Sequence, residues 1–160
     1  MKKFNDNFNK YKNLRNVLSK FSTGVTVVTT VDDKNYPVGI TVNSFSSVSL
    51  DPPLISWCLG KDQPSYKDFV KSNGFVVNIL SKSQMDICNR FSSPCMNKFE
   101  NFTFKKSKEG FPLISNSLAT IICETWSVYP GGDHDIFVGK ITKFKSSNQD
   151  PLIFWNGILS

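Results

Sequence analysis

Six short hydrogen-bonding side chains fall within nine residues of this chain: Thr41, Asn43, Ser44, Ser46, Ser47 and Ser49. Hydroxyls and amides at this density have two uses. They can donate to phosphate or ring-carbonyl oxygens while the small residues around them let backbone N–H groups approach a ligand. They can also be the solvated face of an edge strand. Gly39 lies upstream in a strand-like run, where glycine marks a bulge or a close approach, and Pro52-Pro53 ends the segment. On the residues alone both uses stay open.

Other reactive groups are few. The single histidine, His134, is flanked by Asp133 and Asp135, and serines abound, but no GxSxG elbow accompanies them. A hydrolase triad is therefore disfavoured against a histidine at a loop-to-strand junction. No GxGxxG opens a helix after a strand, and no Walker A motif is present, so a nucleotide would be bound by another device. Cys58, Cys88, Cys95 and Cys123 form no CxxC pair and lack partner histidines, which argues against structural metal. Cys58 and Cys123 sit inside apolar runs and read as small buried hydrophobes.

These groups are carried by a chain of 160 residues, 39% hydrophobic and 20% charged, as expected of one folded domain. Aromatics make up 13%, which suits a β-rich core or a pocket for a planar ligand. The net charge of +6 comes largely from Lys2, Lys3, Lys10, Lys12 and Arg15 and from Lys105, Lys106 and Lys108. Without interleaved aromatics these clusters read as a solvated face that attracts anionic small ligands, not as a nucleic-acid surface. No apolar run reaches the ~20 residues of a membrane span. The lysine-led start has no apolar segment behind it, and the cytoplasm is the expected compartment.

Leu14, Val17, Leu18 and Phe21 recur at helical spacing and predict an amphipathic helix over 10–21, after a tail at 1–9. Strands are expected at 24–31, 36–43, 54–59, 75–80, 118–129, 135–144 and 151–159, the first two as a hairpin. Short helices follow Pro64 and the capping-box pair Ser81 and Gln84. Residues 92–117 read as a surface excursion. Six or seven strands with few, short helices predict a mainly β fold, a closed or nearly closed antiparallel barrel over 10–160.

The run Phe21-Ser-Thr-Gly-Val-Thr-Val-Val-Thr-Thr, continued by Pro37-Val-Gly-Ile-Thr-Val-Asn-Ser-Phe-Ser-Ser-Val-Ser-Leu-Asp-Pro-Pro-Leu, resembles the flavin reductase-like family. Collinear matches follow at Phe75–Leu80 with Gln84, Arg90-Phe91, Lys98-Phe99, Gly110–Ile114, Gly131–His134, Phe137–Gly139 and Pro151–Gly157. The resemblance implies an antiparallel flavin-binding split barrel, usually a homodimer. It implies an NAD(P)H:flavin oxidoreductase that supplies reduced FMN or FAD to a partner monooxygenase, with NADH or NADPH as hydride donor.

Carried over by position, the resemblance places the flavin ring against Pro37, Val38, Gly39, Ile40 and Thr41. Asn43, Ser44 and Ser47 continue that contact, and Cys58, Leu59 and Gly60 line the flavin from the next strand. Pro64, Ser65, Arg90 and Phe91 fall at the ribityl phosphate, with Lys61 a further phosphate candidate on charge. His134 lies near the nicotinamide in an orienting role, and Phe154, Trp155, Asn156 and Gly157 complete that pocket. Family members commonly read Tyr-Arg-Gly where this chain has Trp155-Asn156-Gly157, so the match supplies no arginine for the dinucleotide phosphates. That departure supports an alternative, a flavin-binding electron carrier or sensor without reductase turnover.

Overall fold

Two β-branched runs, Thr26–Val31 and Pro37–Val42, pair antiparallel across the predicted turn. Asp32 makes that turn: its carboxylate accepts from the amides of Lys34 (2.9 Å) and Tyr36 (2.8 Å). The structure is a computed structural model that describes residues 3–95 and 97–160. In chain order its elements are α1 (Lys3–Leu18), β1 (Thr23–Gly24), β2 (Thr26–Val31), β3 (Pro37–Val42), β4 (Ser46–Leu50) and β5 (Pro53–Gly60). Next come α2 (Tyr66–Lys71), β6 (Gly74–Ile79), α3 (Met85–Ser92), β7 (Lys105–Lys106) and β8 (Pro112–Leu113). The chain closes with β9 (Ala119–Gly131), β10 (His134–Ser146), β11 (Ile153–Trp155) and β12 (Ile158–Leu159).

Seven strands form one antiparallel sheet in the order β3-β2-β6-β9-β10-β5-β4. It curls until β3 and β5 approach each other without pairing. The expected barrel is therefore split and not closed: its hydrogen-bonded ring stops at edges β3 and β4. One core lies inside the curl, where Trp57, Phe69, Phe75 and Phe137 pack with Val28, Ile40 and Leu59. A second lies between the outer face and α3, built on Val25, Val27, Leu80, Cys88, Phe91 and Leu152. Alternation divides β2 between them, Val28 to one core and Val27 to the other.

Four expectations change. Helix α1 begins at Lys3, since no proline or glycine interrupts the polar residues before the apolar repeat, and Met1 and Lys2 lie outside the described residues. Segment 92–117 is not confined to the surface. Phe99 and Phe102 pack on the second core, Ile114 is buried, and the buried Asn78 accepts from the Ile114 amide at 3.0 Å. The serine run 46–50 is an extra strand, β4, paired to β5 at the sheet edge. Finally, 151–159 is a hairpin and not one strand. Asn156 and Gly157 take φ of 51° and 81° and reverse the chain, the Asn-Gly preference of a tight two-residue turn.

Candidate functional site

Where β3 and β5 approach without pairing, a groove opens between them, bordered by the end of α3 and the loop that follows it. It has two adjoining compartments, of about 370 Å³ and 660 Å³. The smaller is lined by Ile40 to Ser44, by Cys58 to Gly60 and by His134. Pro37, Val38, Gly39, Pro64 and Ser65 line the larger. Gln63 and Lys98 border both, so the two share a wall.

Much of the predicted hydroxyl chemistry is committed to holding this groove open. Thr41 Oγ1 donates to the Cys88 carbonyl at 2.9 Å and ties β3 to α3. Ser44 Oγ accepts from the Cys58 amide at 2.9 Å and pins the chain against β5 where it leaves β3. Gly39 is explained by aromatic rings: a Cβ there would lie 2.7 Å and 2.8 Å from Phe91 ring atoms. Asn43 to Phe45 run between the two strands and take no part in either ladder. Ser47 lies on the exposed edge strand β4, outside both compartments.

The predicted phosphate cations are also engaged within the chain. Lys61 Nζ donates to the Gly132 carbonyl at 2.9 Å and stands 3.2 Å from Asp135 Oδ1. Arg90 Nε donates to the Lys98 carbonyl at 2.6 Å, and its Nη2 donates to the Glu100 carbonyl. Phe91, on α3, is fully buried in the second core. Residues 154–157 border neither compartment; they belong to a separate sheet, β1-β11-β12, where Asn156 Oδ1 accepts from Lys20 Nζ at 2.8 Å.

His134 opens β10 opposite Gly60. Its Nδ1 lies 2.7 Å from Asp133 Oδ1, and the carboxylate requires a proton on that nitrogen. In the neutral ring Nε2 is then an acceptor, positioned 3.5 Å from where a Gly60 Cβ would stand. The hydrogen bond from His134 holds the Asp133 carboxyl below the ordinary carboxylate range. Any side chain at position 60 would project among Asp62, Gln63 and His134, so the glycine keeps this end of the groove clear.

Asp135 locks the hairpin that carries His134. Its buried carboxylate accepts from the Tyr66 hydroxyl at the start of α2 and pairs with Lys61. The Tyr66 hydrogen bond draws its pKa below the ordinary value, burial opposes this, and Lys61 adds to the lowering. A depressed folded pKa means the ion's stabilisation is full above the unfolded value, about 3.9, and lost as pH falls through the folded one. Asp135→Asn is expected to lose stability at pH 7 but to show a smaller further loss on acidification to pH 3. Urea midpoints at the two pH values check this, and parallel acid limbs would refute it.

Sequence reasoning missed Gln63, which no local pattern marks, and it met Lys98 only in the Lys98-Phe99 match, with no role assigned. Burial pushes the Lys98 ammonium below its ordinary pKa, a small opposing effect coming from Cys95. Of the cysteines, Cys123 is buried with its thiol pushed up to about 12, while Cys58 is half-buried and lines the smaller compartment. A groove between two strands, with a lone ammonium at the shared wall and an imidazole held by Asp133 at one end, fits an anionic nucleotide.

A family model described as the flavin reductase like domain matches residues 18–159. The reductase component of the flavin-dependent trigonelline monooxygenase of Acinetobacter baylyi is 40% identical over 152 residues, covering 95% of this chain and 49% of that one. The FMN reductase (NADH) SmoA of Agrobacterium fabrum is 37% identical over 146 residues, covering 91% and 83%. The solved structure of the Streptomyces globisporus NADH:FAD oxidoreductase SgcE6, in complex with NAD and FAD fragments, has a TM-score of 0.89 at 33% identity. That match covers 95% of this chain and 92% of the other. The chain spans about half the length of the Acinetobacter relative. With a matching model over most of its length, the chain belongs to the flavin reductase-like family.

Proposed function

We propose that the chain is an NAD(P)H-dependent flavin reductase. The carrying observation is the β3–β5 groove, which presents backbone, a fixed His134 acceptor and the Lys98 ammonium to one continuous space. FMN or FAD would lie against Val38–Ser44 and Cys58–Gly60. When bound, the flavin supplies the chemistry, accepting hydride from NADH or NADPH. The protein's share is orientation: His134 Nε2 accepts from a donor such as the nicotinamide carboxamide, and the β3–β5 walls shed water from a planar ring.

The relatives named as reductase components support a monooxygenase as recipient of the reduced flavin. A second copy of this chain is the proposed partner in a homodimer. Leu50 (94% exposed), Phe144 (80%) and Phe21 (78%) stand uncovered, as does the apolar stripe of α1. A partner chain would also be the source of any nicotinamide pocket that residues 154–157 complete, since in one chain they stay outside the groove. Among the described residues no helix is long and apolar enough to cross a membrane. A cytoplasmic place belongs to the same proposal.

The test is NADH and NADPH oxidation followed by absorbance with and without FMN or FAD. Oxidation that requires added or bound flavin supports the reductase. A protein that binds flavin but leaves both dinucleotides untouched would instead be a carrier or sensor, the reading favoured by Asn156 being tied to Lys20 and Ser19.

A further inference from the structure

The two cations that sequence reasoning offers to a flavin phosphate are turned to other work: Lys61 to Gly132 and Asp135, Arg90 to the carbonyls of Lys98 and Glu100. Lys98 differs from both. It lies in the loop between α3 and β7, borders both compartments, and is the one lysine or arginine among the described residues that line them. Resting on the flavin reading above, we propose that Lys98 Nζ anchors the flavin phosphate and makes the site select phosphorylated flavins over riboflavin.

Geometry prepares the ammonium for this. Its one hydrogen bond among the described residues goes to the Phe91 carbonyl at 2.8 Å. An ammonium has three donors, so two remain for a ligand. The stem is half-buried and its loop is clamped from below by Arg90, whose Nε holds the Lys98 carbonyl at 2.6 Å. Little side-chain entropy is left to lose on binding. Asp32, Asp68 and Glu100 line the larger compartment, so an anion is disfavoured elsewhere in it and localised at Lys98. The neutral ribityl chain of riboflavin gains nothing from that ammonium. Partial exclusion of water strengthens the charge-assisted bond to a phosphate.

The measurement is flavin fluorescence quenching, with FMN and riboflavin titrated separately into wild type, Lys98→Gln and Lys98→Arg. Wild type is expected to bind FMN more tightly. Lys98→Gln is expected to weaken FMN by roughly 10- to 100-fold, leaving riboflavin unchanged, and Lys98→Arg to recover part of the loss. Equal loss for both flavins would show only a loosened loop and overturn the proposal, as would an unchanged FMN affinity. Wild type that binds riboflavin as tightly as FMN overturns it without any variant. Wild type that binds neither flavin removes the flavin reading itself and the anchor with it.

Discussion

Truncating Trp57 to alanine is expected to cost about 3–5 kcal/mol, among the largest single losses available to this fold. The indole is fully buried inside the curl of the sheet. It stacks on Phe137 at a 4.8 Å centroid distance and meets Phe69 and Phe75 edge-on at 5.0 Å and 5.5 Å. Three rings from β10, α2 and β6 thus converge on one side chain of β5, and none can move inward without leaving another. For a chain of this size the loss corresponds to a fall in Tm of roughly 6–20 °C.

Trp57→Phe sharpens the test. Trp57 Nε1 is buried with no hydrogen-bond partner among the described residues, so phenylalanine removes an unsatisfied donor while keeping most of the ring volume. It is expected to cost far less than alanine. Urea unfolding of both variants decides the matter, and equal losses would mean that the indole N–H is satisfied after all. Because Cys58 to Gly60 follow Trp57 on β5 and wall the groove, the alanine variant should also bind flavin less tightly, in line with its lost stability.

How far the sequence foretold this arrangement can be judged residue by residue. The β2–β3 hairpin, the Ser81–Gln84 capping box and the strand order along the chain were legible because turn and cap chemistry act over a few neighbouring residues. The Asn156-Gly157 turn was equally local, but a continuous apolar run disguised it as one strand. The hydroxyl run was harder. Thr41 and Ser44 border the groove, yet each hydroxyl bonds to backbone of α3 or β5. A hydroxyl that ties strand to helix and one that faces a ligand are the same residue in a sequence. The place of Lys98 was hidden for the opposite reason: the Lys98-Phe99 match carried no role, and only the fold brings the loop after α3 beside Gly39 and His134.

Gly39→Ala is where fold and site are expected to fail together. A Cβ at that position would sit 2.7 Å and 2.8 Å from two Phe91 ring atoms and 3.2 Å from Phe99. Phe91 cannot retreat, being fully buried with Phe99 and Phe102 edge-on at 4.9 Å and 5.3 Å. Overpacking of this kind costs about 1–3 kcal/mol. The displaced rings also hold the proposed phosphate anchor, since the Phe91 carbonyl receives Lys98 Nζ and Phe99 is the next residue along. FMN affinity should therefore fall while the lost stability alone leaves most of the protein folded. Gly24→Ala is the control: nothing among the described residues lies within 4 Å of where its new methyl group would stand, and its effect is expected within about 0.5 kcal/mol. Urea midpoints and FMN titrations on both variants, and on Gly39→Ala combined with Phe91→Leu, complete the test. Partial recovery in the double variant would place the strain at the ring contact. A Gly39→Ala protein as stable and as tight for FMN as Gly24→Ala would show that the packing against β3 yields freely, and that glycine here serves neither packing nor site.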